Sequence, residues 1–492
     1  RIVKGNYSVR QKFVTKHSQG ACSEMKRAGL LVLLCALSIS WGHPAVFYQP
    51  EQVHIAYGDP DDPSQMFVVW STANDTTTSM VRYFAMGSSK VMTAEGVSRK
   101  FTDGGELRRV QYIHRVKLTG LTPGQKYQYT CGSTKGWSQM FSFSAMKSGT
   151  NWSPRFALYG DLGNINAQSL PRLQLETEQD KYDAILHVGD FAYDMNVDNA
   201  RVGDEFMRQI EPIAAHVPYM TCPGNHEMKY NFSNYKHRFV MPGDELSDRM
   251  FYSFNIGPAH IISFSSEYYF FIYYGIVQPI EQYRWLERDL AEANKPENRA
   301  KRPWIITMAH RPMYCSNENK DDCTRKESII RTGVPFLHSL GLEKLFYQYG
   351  VDLTLWAHEH SYERLWPVYD RKVYNGSAAE PYTNPGAPVH IITGSAGCQE
   401  DHDKFINNTA PWSAFRSDDY GYTRMTVHNA SHLYMEQVSD DKGGKIMDSF
   451  WIKKDKHGPY PNREWRAPDT DKFQFHQKKD RYAQFAIKEN GL

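Results

Sequence analysis

Five short polar clusters hold the residues of this chain that could do chemistry. They are Gly160-Asp161-Leu162-Gly163, Gly189-Asp190-Phe191-Ala192-Tyr193, Cys222-Pro223-Gly224-Asn225-His226-Glu227, His310, and Ala357-His358-Glu359-His360. Together they offer two Asp, one Tyr, one Asn and four His. Carboxylate and phenolate oxygens suit a hard trivalent cation, and imidazole suits Fe, Zn and Mn. An Asp lying between two such groups can bridge cations ~3.5–4 Å apart, and an HxH pair at a strand end can reach both. Water held between two cations is a strong nucleophile near neutral or acidic pH. Taken singly, each cluster has a plainer explanation. A Gly-Asp pair is usually a turn, and a His after an apolar strand is usually a hydrogen-bonded core edge. It is the recurrence of one context, with a full two-metal ligand set in order, that favours the chemistry.

That context is an apolar run before each cluster. Phe156–Tyr159, Ala184–Val188, Val217–Met220, Ile305–Ala309 and Val351–Trp356 read as buried strands, and Pro279–Asn294 between them has helical spacing with Pro near its start. Strand–helix alternation predicts an α/β layer whose ligands gather at the carboxyl ends of the strands. Gly at 160, 189 and 224 would let the backbone turn sharply ahead of Asp161, Asp190 and Asn225. Ahead of this layer, Gln52–Ala56, Gln65–Trp70, Met80–Phe84 and Tyr112–Leu118 alternate between turns and predict a β-sandwich. Thr119–Tyr129 resembles the corner of a fibronectin type III module, in which a Tyr ties the corner back. Residues 389–452 return to short strands, including Val389–Thr393 and Leu433–Val438, and beyond Lys453 the chain is charged and turn-rich.

The chain has 492 residues, 41% hydrophobic and 14% aromatic, enough for large cores. Its net charge of +2 excludes a general nucleic-acid binder. Residues 1–42 hold seven basic residues and one acid, so the remainder is slightly acidic. Met25-Lys26-Arg27, an uncharged apolar run from Ala28 to Trp41, and small residues at Ser40 and Gly42 read as a signal peptide over 25–42. Residues 1–24 then read as non-native sequence upstream of the start. Fourteen residues rise about 21 Å as a helix, short of a ~30 Å hydrocarbon core, so no membrane anchor is expected. Sequons at Asn74, Asn231, Asn375, Asn407 and Asn429 would be N-glycosylated in a chain that is secreted or lysosomal. Five cysteines follow the leader. Cys315 and Cys323 could close a short loop, and the odd number leaves at least one thiol free or paired between chains.

The five clusters resemble the motif series of the metallophosphoesterases, and more narrowly of the purple acid phosphatases, in their long, plant-like type. That family is marked by GDxG, GDxxY, GNH followed by an acid, VxxH and GHxH. Here the last two read Thr307-Met308-Ala309-His310 and Ala357-His358-Glu359-His360, with Thr and Ala at positions that are not ligands. Tyr362-Glu363-Arg364 and Gln282–Glu287 are also family-like, and the resemblance spans roughly residues 45–455.

The resemblance implies a multidomain α+β protein: a fibronectin III-like β-sandwich over 43–150, then an α/β/β/α metallophosphoesterase sandwich over 151–388, its C-terminal part over 389–455 and a charged tail over 456–492. It implies that Asp161, Tyr193 and His360 bind Fe(III), that Asn225, His310 and His358 bind a divalent Fe, Zn or Mn, and that Asp190 bridges them. His226 would contact the phosphate and protonate the leaving oxygen. The implied reaction is hydrolysis of phosphate monoesters, an acid phosphatase activity, by attack of hydroxide held on the binuclear centre. Plant members often carry paired His after the VxxH His, here His310, to help bind phosphate. This chain has Ser316–Asp322 there, with Lys320 read as a solvated loop residue ahead of the alternative that it substitutes electrostatically. Two alternatives stand beside this reading: a phosphodiesterase or nucleotide-sugar hydrolase on the same core, and a secreted glycoprotein acting through its fibronectin-like module. His187, His216, His237, His338 and His390 are read as structural or surface residues.

Overall fold

The computed structural model describes residues 46–243, 250–324, 328–334 and 339–460. The leader with its signal peptide, residues 1–24, His338 and the chain beyond 460 lie outside the described residues.

Two antiparallel sheets form the N-terminal sandwich. One orders its strands Glu51–Tyr57, Met66–Thr72, Val110–Leu118 and Val97–Thr102; the other is built on Met80–Ala85 and Lys126–Ser133. Their inward positions, among them Val68, Trp70, Val81, Val116 and Tyr129, share one buried core. The corner Tyr is Tyr127, whose Oη accepts the Thr122 amide at 2.9 Å. His114 sits inside this sandwich, stacked on Trp70 with ring centres 4.9 Å apart, and its two nitrogens meet the hydroxyls of Thr72 and Ser79 at 2.8 Å.

The sandwich is bonded to the second domain rather than tethered to it. Tyr57 and Tyr129 donate to the carbonyls of Asp183 and Ala215, at 2.8 and 2.7 Å. Arg115 donates to the carbonyls of Lys236, His237 and Phe239. Asp204, buried, pairs with Arg238 at 2.9 Å and also with Arg109 across the junction. A buried carboxylate between two guanidiniums is satisfied only while the two domains stay docked.

The catalytic domain stacks two mixed sheets face to face. The first runs Tyr219–Cys222, Ala184–Val188 and Arg155–Tyr159 in parallel, then continues antiparallel through Gly421–Val427, His432–Ser439 and Lys445–Lys453. The second holds Ala259–Ser263, Trp304–Met308, Leu353–Trp356 and Val389–Thr393 in parallel, flanked by antiparallel strands. The C-terminal strands are therefore not an appendage; they complete both sheets. Helix Val277–Ala293, anticipated from residue 279, buries Leu286 and Leu290 against the second sheet's core. The chain remains docked through Tyr460, past the expected start of a charged tail at 456. The reason is Asp352, fully buried below the Trp304 strand, which needs the cations Arg299 and Lys454 and the His457 ring nitrogen at 3.2 Å around it. No helix among the described residues is long and apolar enough to cross a membrane.

Burial lowers the His114 pKa from 6.5 to about 4. A base with a lowered folded pKa contributes its full share above 6.5, and that share is lost as pH falls toward 4, because the unfolded chain takes up a proton the folded one refuses. Replacing His114 by Gln should reduce the fall in unfolding free energy, measured by urea titration, between pH 6.5 and 4.5 by about 1–2 kcal/mol. An unchanged slope would refute this assignment.

Candidate metal centre

All eight singled-out residues lie at the carboxyl ends of strands, and the structure brings them to one place between the two sheets. Asp161, Asp190, Tyr193, Asn225 and His226 follow the three parallel strands of the first sheet. His310, His358 and His360 follow the two central strands of the second. Asp161, Asp190, Tyr193, His310 and His360 are buried; Asn225, His226 and His358 are half-buried.

The backbone here is strained. Asp161, Asp190, Tyr193, Asp194 and His358 all have φ between 51° and 79°, a region that costs non-glycine residues of order 1–3 kcal/mol each. The motif glycines do not share one role. Gly189 takes the left-handed turn at φ 88°. Gly224 is extended, and a Cβ there would stand 2.2 Å from Asp190 Oδ1. A Cβ on Gly160 would meet the Ala357 methyl at 2.4 Å, so Ala357 occupies the room that Gly160 leaves.

Each imidazole is held in one tautomer by a partner on its outer side. His310 Nδ1 lies 2.8 Å from the Val188 carbonyl and His360 Nδ1 2.9 Å from the Asp401 carbonyl, so each Nδ1 carries the hydrogen and each Nε2 offers a lone pair inward. His358 is reversed. Its Nε2 lies 2.5 Å from Asp321 Oδ2 and 2.8 Å from Arg311 Nη1; the shorter contact to the carboxylate takes the Nε2 hydrogen, Arg311 pairs with the same carboxylate at 3.4 Å, and the Nδ1 lone pair turns toward His310 Nε2 at 3.2 Å. Burial and Arg311 hold the His358 pKa down at about 3, keeping the ring neutral.

Inside this ring of partners, acceptor atoms crowd. His310 Nε2 stands 3.1 Å from both Asn225 Oδ1 and Asp190 Oδ2, and His310, His358 and Asp190 offer ligand atoms within 4.8 Å of one another. A few ångströms away, Tyr193 Oη lies 2.8 Å from His360 Nε2 and 3.2 Å from Asp161 Oδ1. The lone pairs of His310, Asn225 and Asp190 face one another at such distances and require a positive charge among them, a proton or a cation, whereas the Tyr193 hydroxyl can itself donate to its neighbours. Burial opposes charge on His310, yet Asp190 outweighs it and lifts the pKa to about 9. Burial raises Asp161 to about 6. Burial and then Asp161 and Asp190 push the Tyr193 phenol well above its ordinary value, so only a strongly polarising cation would ionise it. Oxygen and imidazole donors in two adjoining groups, with Asp190 in the group of His310 and His358, fit a pair of cations.

His226 stands at the mouth. Its Nδ1 meets Asp194 at 3.2 Å, its Nε2 lies 3.7 Å from Glu400 and 3.9 Å from Asp190, and its ring lies 4.4 Å from that of Tyr193. Burial opposes its charge, but Asp190 and Asp194 raise its pKa to about 10.

Sequence reasoning missed several supports. Glu227, noted only as the acid of its motif, accepts the backbone amides of Asp190, Phe191 and Gly224 at 2.8–3.0 Å and so fixes two metal-site loops together. Asp321, on the loop closed by the Cys315–Cys323 disulfide, sets the His358 tautomer. Asn319 of that loop bonds Glu359 at 2.8 Å, while Lys320 is exposed. The short spacing of the cysteines was the available signal. Cys131, Cys222 and Cys398 are buried thiols. His187, His216, His237 and His390 bond or stack within the protein outside the donor set.

The chain matches three family profiles: "Purple acid Phosphatase, N-terminal domain" over residues 50–145, "Calcineurin-like phosphoesterase" over 154–362, and "Iron/zinc purple acid phosphatase-like protein C" over 387–449. It is 60% identical over 415 residues to acid phosphatase type 7 of Danio rerio, covering 84% of this chain and 93% of that one. It is 56% identical over 422 residues to acid phosphatase type 7 of Homo sapiens, covering 86% and 95%. Its fold is similar to the structure of purple acid phosphatase PPD1 from yellow lupin seeds, with a TM-score of 0.69 at 24% identity, over 83% of this chain and 75% of that one.

Replacing Asp321 by Asn should free the His358 tautomer and lower retention of a divalent ion about 10–100-fold. Metal analysis after dialysis against graded chelator checks this; undiminished retention would mean that Asp321 does not orient His358.

Proposed function

The chain belongs to the purple acid phosphatase family, and from that premise we propose that Asp161, Tyr193 and His360 hold a ferric ion, that Asn225, His310 and His358 hold a divalent Fe, Zn or Mn, and that Asp190 bridges them. The protein is an acid phosphatase, and phosphate monoesters are the proposed substrates. The observation that carries the ligand assignment is the convergence of four ligand-type atoms, His310 Nε2, His358 Nδ1, Asn225 Oδ1 and Asp190 Oδ2, at one place. When bound, the metal pair supplies Lewis acidity toward the phosphoryl oxygens and an acidified water as nucleophile.

The chain's own residues do the rest. Glu227 holds the Asp190 and Gly224 backbones in register, so the bridging carboxylate cannot drift from the Asn225 turn. Asp194 takes the Nδ1 side of His226 and leaves Nε2 facing the mouth, where it can give a proton to the leaving oxygen. Protons compete with cations at His310 and Asp161, so metal affinity weakens as the medium becomes more acidic.

The proposed compartment is the secretory pathway, ending outside the cell or in the lysosome. The Cys315–Cys323 disulfide suits an oxidising lumen. Asn74, Asn375, Asn407 and Asn429 are exposed and Asn231 is half-buried, and all five are proposed glycan sites.

Asp190→Asn should lose both metals and at least about 10³-fold in turnover, the loss expected for removing the shared ligand. His226→Ala should keep both metals and the tyrosinate-to-ferric absorption band, while kcat on phenyl phosphate falls about 10²–10⁴-fold. Metal content, the visible spectrum and parallel assays on a monoester and a diester separate these outcomes. Full activity in either variant, or faster diester than monoester turnover, would overturn the assignment.

A further inference from the structure

Between the second-sheet strand Ala259–Ser263 and helix Val277–Ala293 runs a segment without a single charge, Tyr268-Tyr269-Phe270-Phe271-Ile272-Tyr273-Tyr274-Gly275-Ile276-Val277. Tyr268 and Tyr269 are buried, Tyr273 is 64% exposed and Val277 57%, and the other residues of the segment are half-buried. Its ends are fixed. Gln282 clamps both backbone groups of Ser265 at 2.8 Å. The Arg311 amide bonds Ser266 Oγ at 2.9 Å, and its side chain bonds buried Glu267 at 3.0 Å.

The segment follows one flank of the metal centre. At its near end the Arg311 guanidinium lies 4.4 Å from the Phe270 ring centre and 2.8 Å from His358 Nε2. At its far end Phe271 and Tyr274 pack edge-on to Phe232, and Tyr273 Oη reaches Met228 Sδ at 3.7 Å. Met228 is two residues after His226, the group assigned above to the leaving oxygen. The other side of His226 is acidic, with Asp194 and Glu400 each about half exposed. An ester whose leaving group carries further negative charge meets those carboxylates. One with a flat apolar leaving group can lie over Met228 and against the Tyr273 and Phe271 rings, where aromatic contact contributes favourably.

Building on the phosphatase reading, we propose that this aromatic shelf is the leaving-group site and that the enzyme's preferred substrates are aryl phosphate monoesters, the class that includes phosphotyrosyl side chains.

Binding of phosphonates tests the shelf apart from turnover. Calorimetric titration of the metal-loaded protein should show phenylphosphonate binding about tenfold tighter than methylphosphonate. In Tyr273→Ser that preference should shrink to about threefold or less with methylphosphonate affinity unchanged, and Tyr273→Phe should retain it. Tyr273 is exposed, so the substitution spares the core. Equal affinities in the unsubstituted protein, an undiminished preference in Tyr273→Ser, or octylphosphonate binding tighter than phenylphosphonate would overturn the proposal. Failure to hydrolyse phenyl phosphate and glycerol phosphate alike would instead count against the phosphatase reading, whatever the phosphonates do.

Discussion

Mutual repulsion among buried donor atoms is the constraint on which the centre depends. Asp190, Asn225, His310 and His358 press lone pairs toward one another at about hydrogen-bond distance. Nothing in that arrangement is favourable until positive charge enters it, so the protein must supply the holding force from outside the ring. It does so with partners one layer back: carbonyls of Val188 and Asp401 on two histidines, Asp321 on the third, and Glu227 across the Asp190 and Gly224 backbones. The left-handed φ values at Asp161, Asp190, Tyr193 and His358 are the backbone side of the same tension. Side chains placed by such turns cannot relax away from one another, and this keeps the site formed for a cation.

Two stacked sheets are what make that restraint possible. Loops at the ends of a single sheet could gather the Asp161, Asp190 and Asn225 clusters, since those three strands are neighbours in register. The histidines must arrive from a different direction, and the second sheet brings them on its two central strands. The sheets are joined near the site by the Gly160 amide on the Thr393 carbonyl at 2.9 Å. Ala357 packs its methyl where Gly160 has none. The N-terminal sandwich contributes no ligand. Its role is visible in Asp204 and Arg238, which are buried between the domains, and in Arg115, which caps the carbonyls at the end of the helix that follows the Asn225 turn.

Much of this was legible in the sequence because it is local. Apolar runs ending in polar clusters located the five site strands to within two residues, and alternation found four strands of the sandwich. That the singled-out polar residues gather at one place was legible for the same reason: each follows a strand within a few positions. What escaped is non-local. Asp321 looked like one charge in a solvated loop, since no spacing reveals that a disulfide turns it onto His358 across 37 residues. Glu227 could be seen as part of a motif, but its three amide partners belong to two loops. The docking of residues 454–460 escaped because its cause, the buried Asp352, lies about a hundred residues upstream. The glycine argument was half right, because spacing cannot separate a glycine needed for its dihedral angle, Gly189, from glycines needed for their lack of a side chain, Gly160 and Gly224.

Division of labour between rigid and adaptable elements follows from the same geometry. Groups gathered at the candidate metal centre stand at strand ends and are oriented by bonds from residues one layer back, a design that tolerates little change. The Tyr268–Val277 segment, by contrast, is held by buried Tyr268 and Tyr269, by Arg311 over Phe270 and where its rings meet Phe232 and Met228, and leaves Tyr273 and Val277 exposed. Its exposed rings can be exchanged without disturbing a metal ligand, because Arg311 and Glu267 absorb the connection to His358. Selectivity for the leaving group can therefore vary independently of the hydrolytic chemistry. An apolar flank facing an acidic one across His226 is the form that such selectivity takes in this chain.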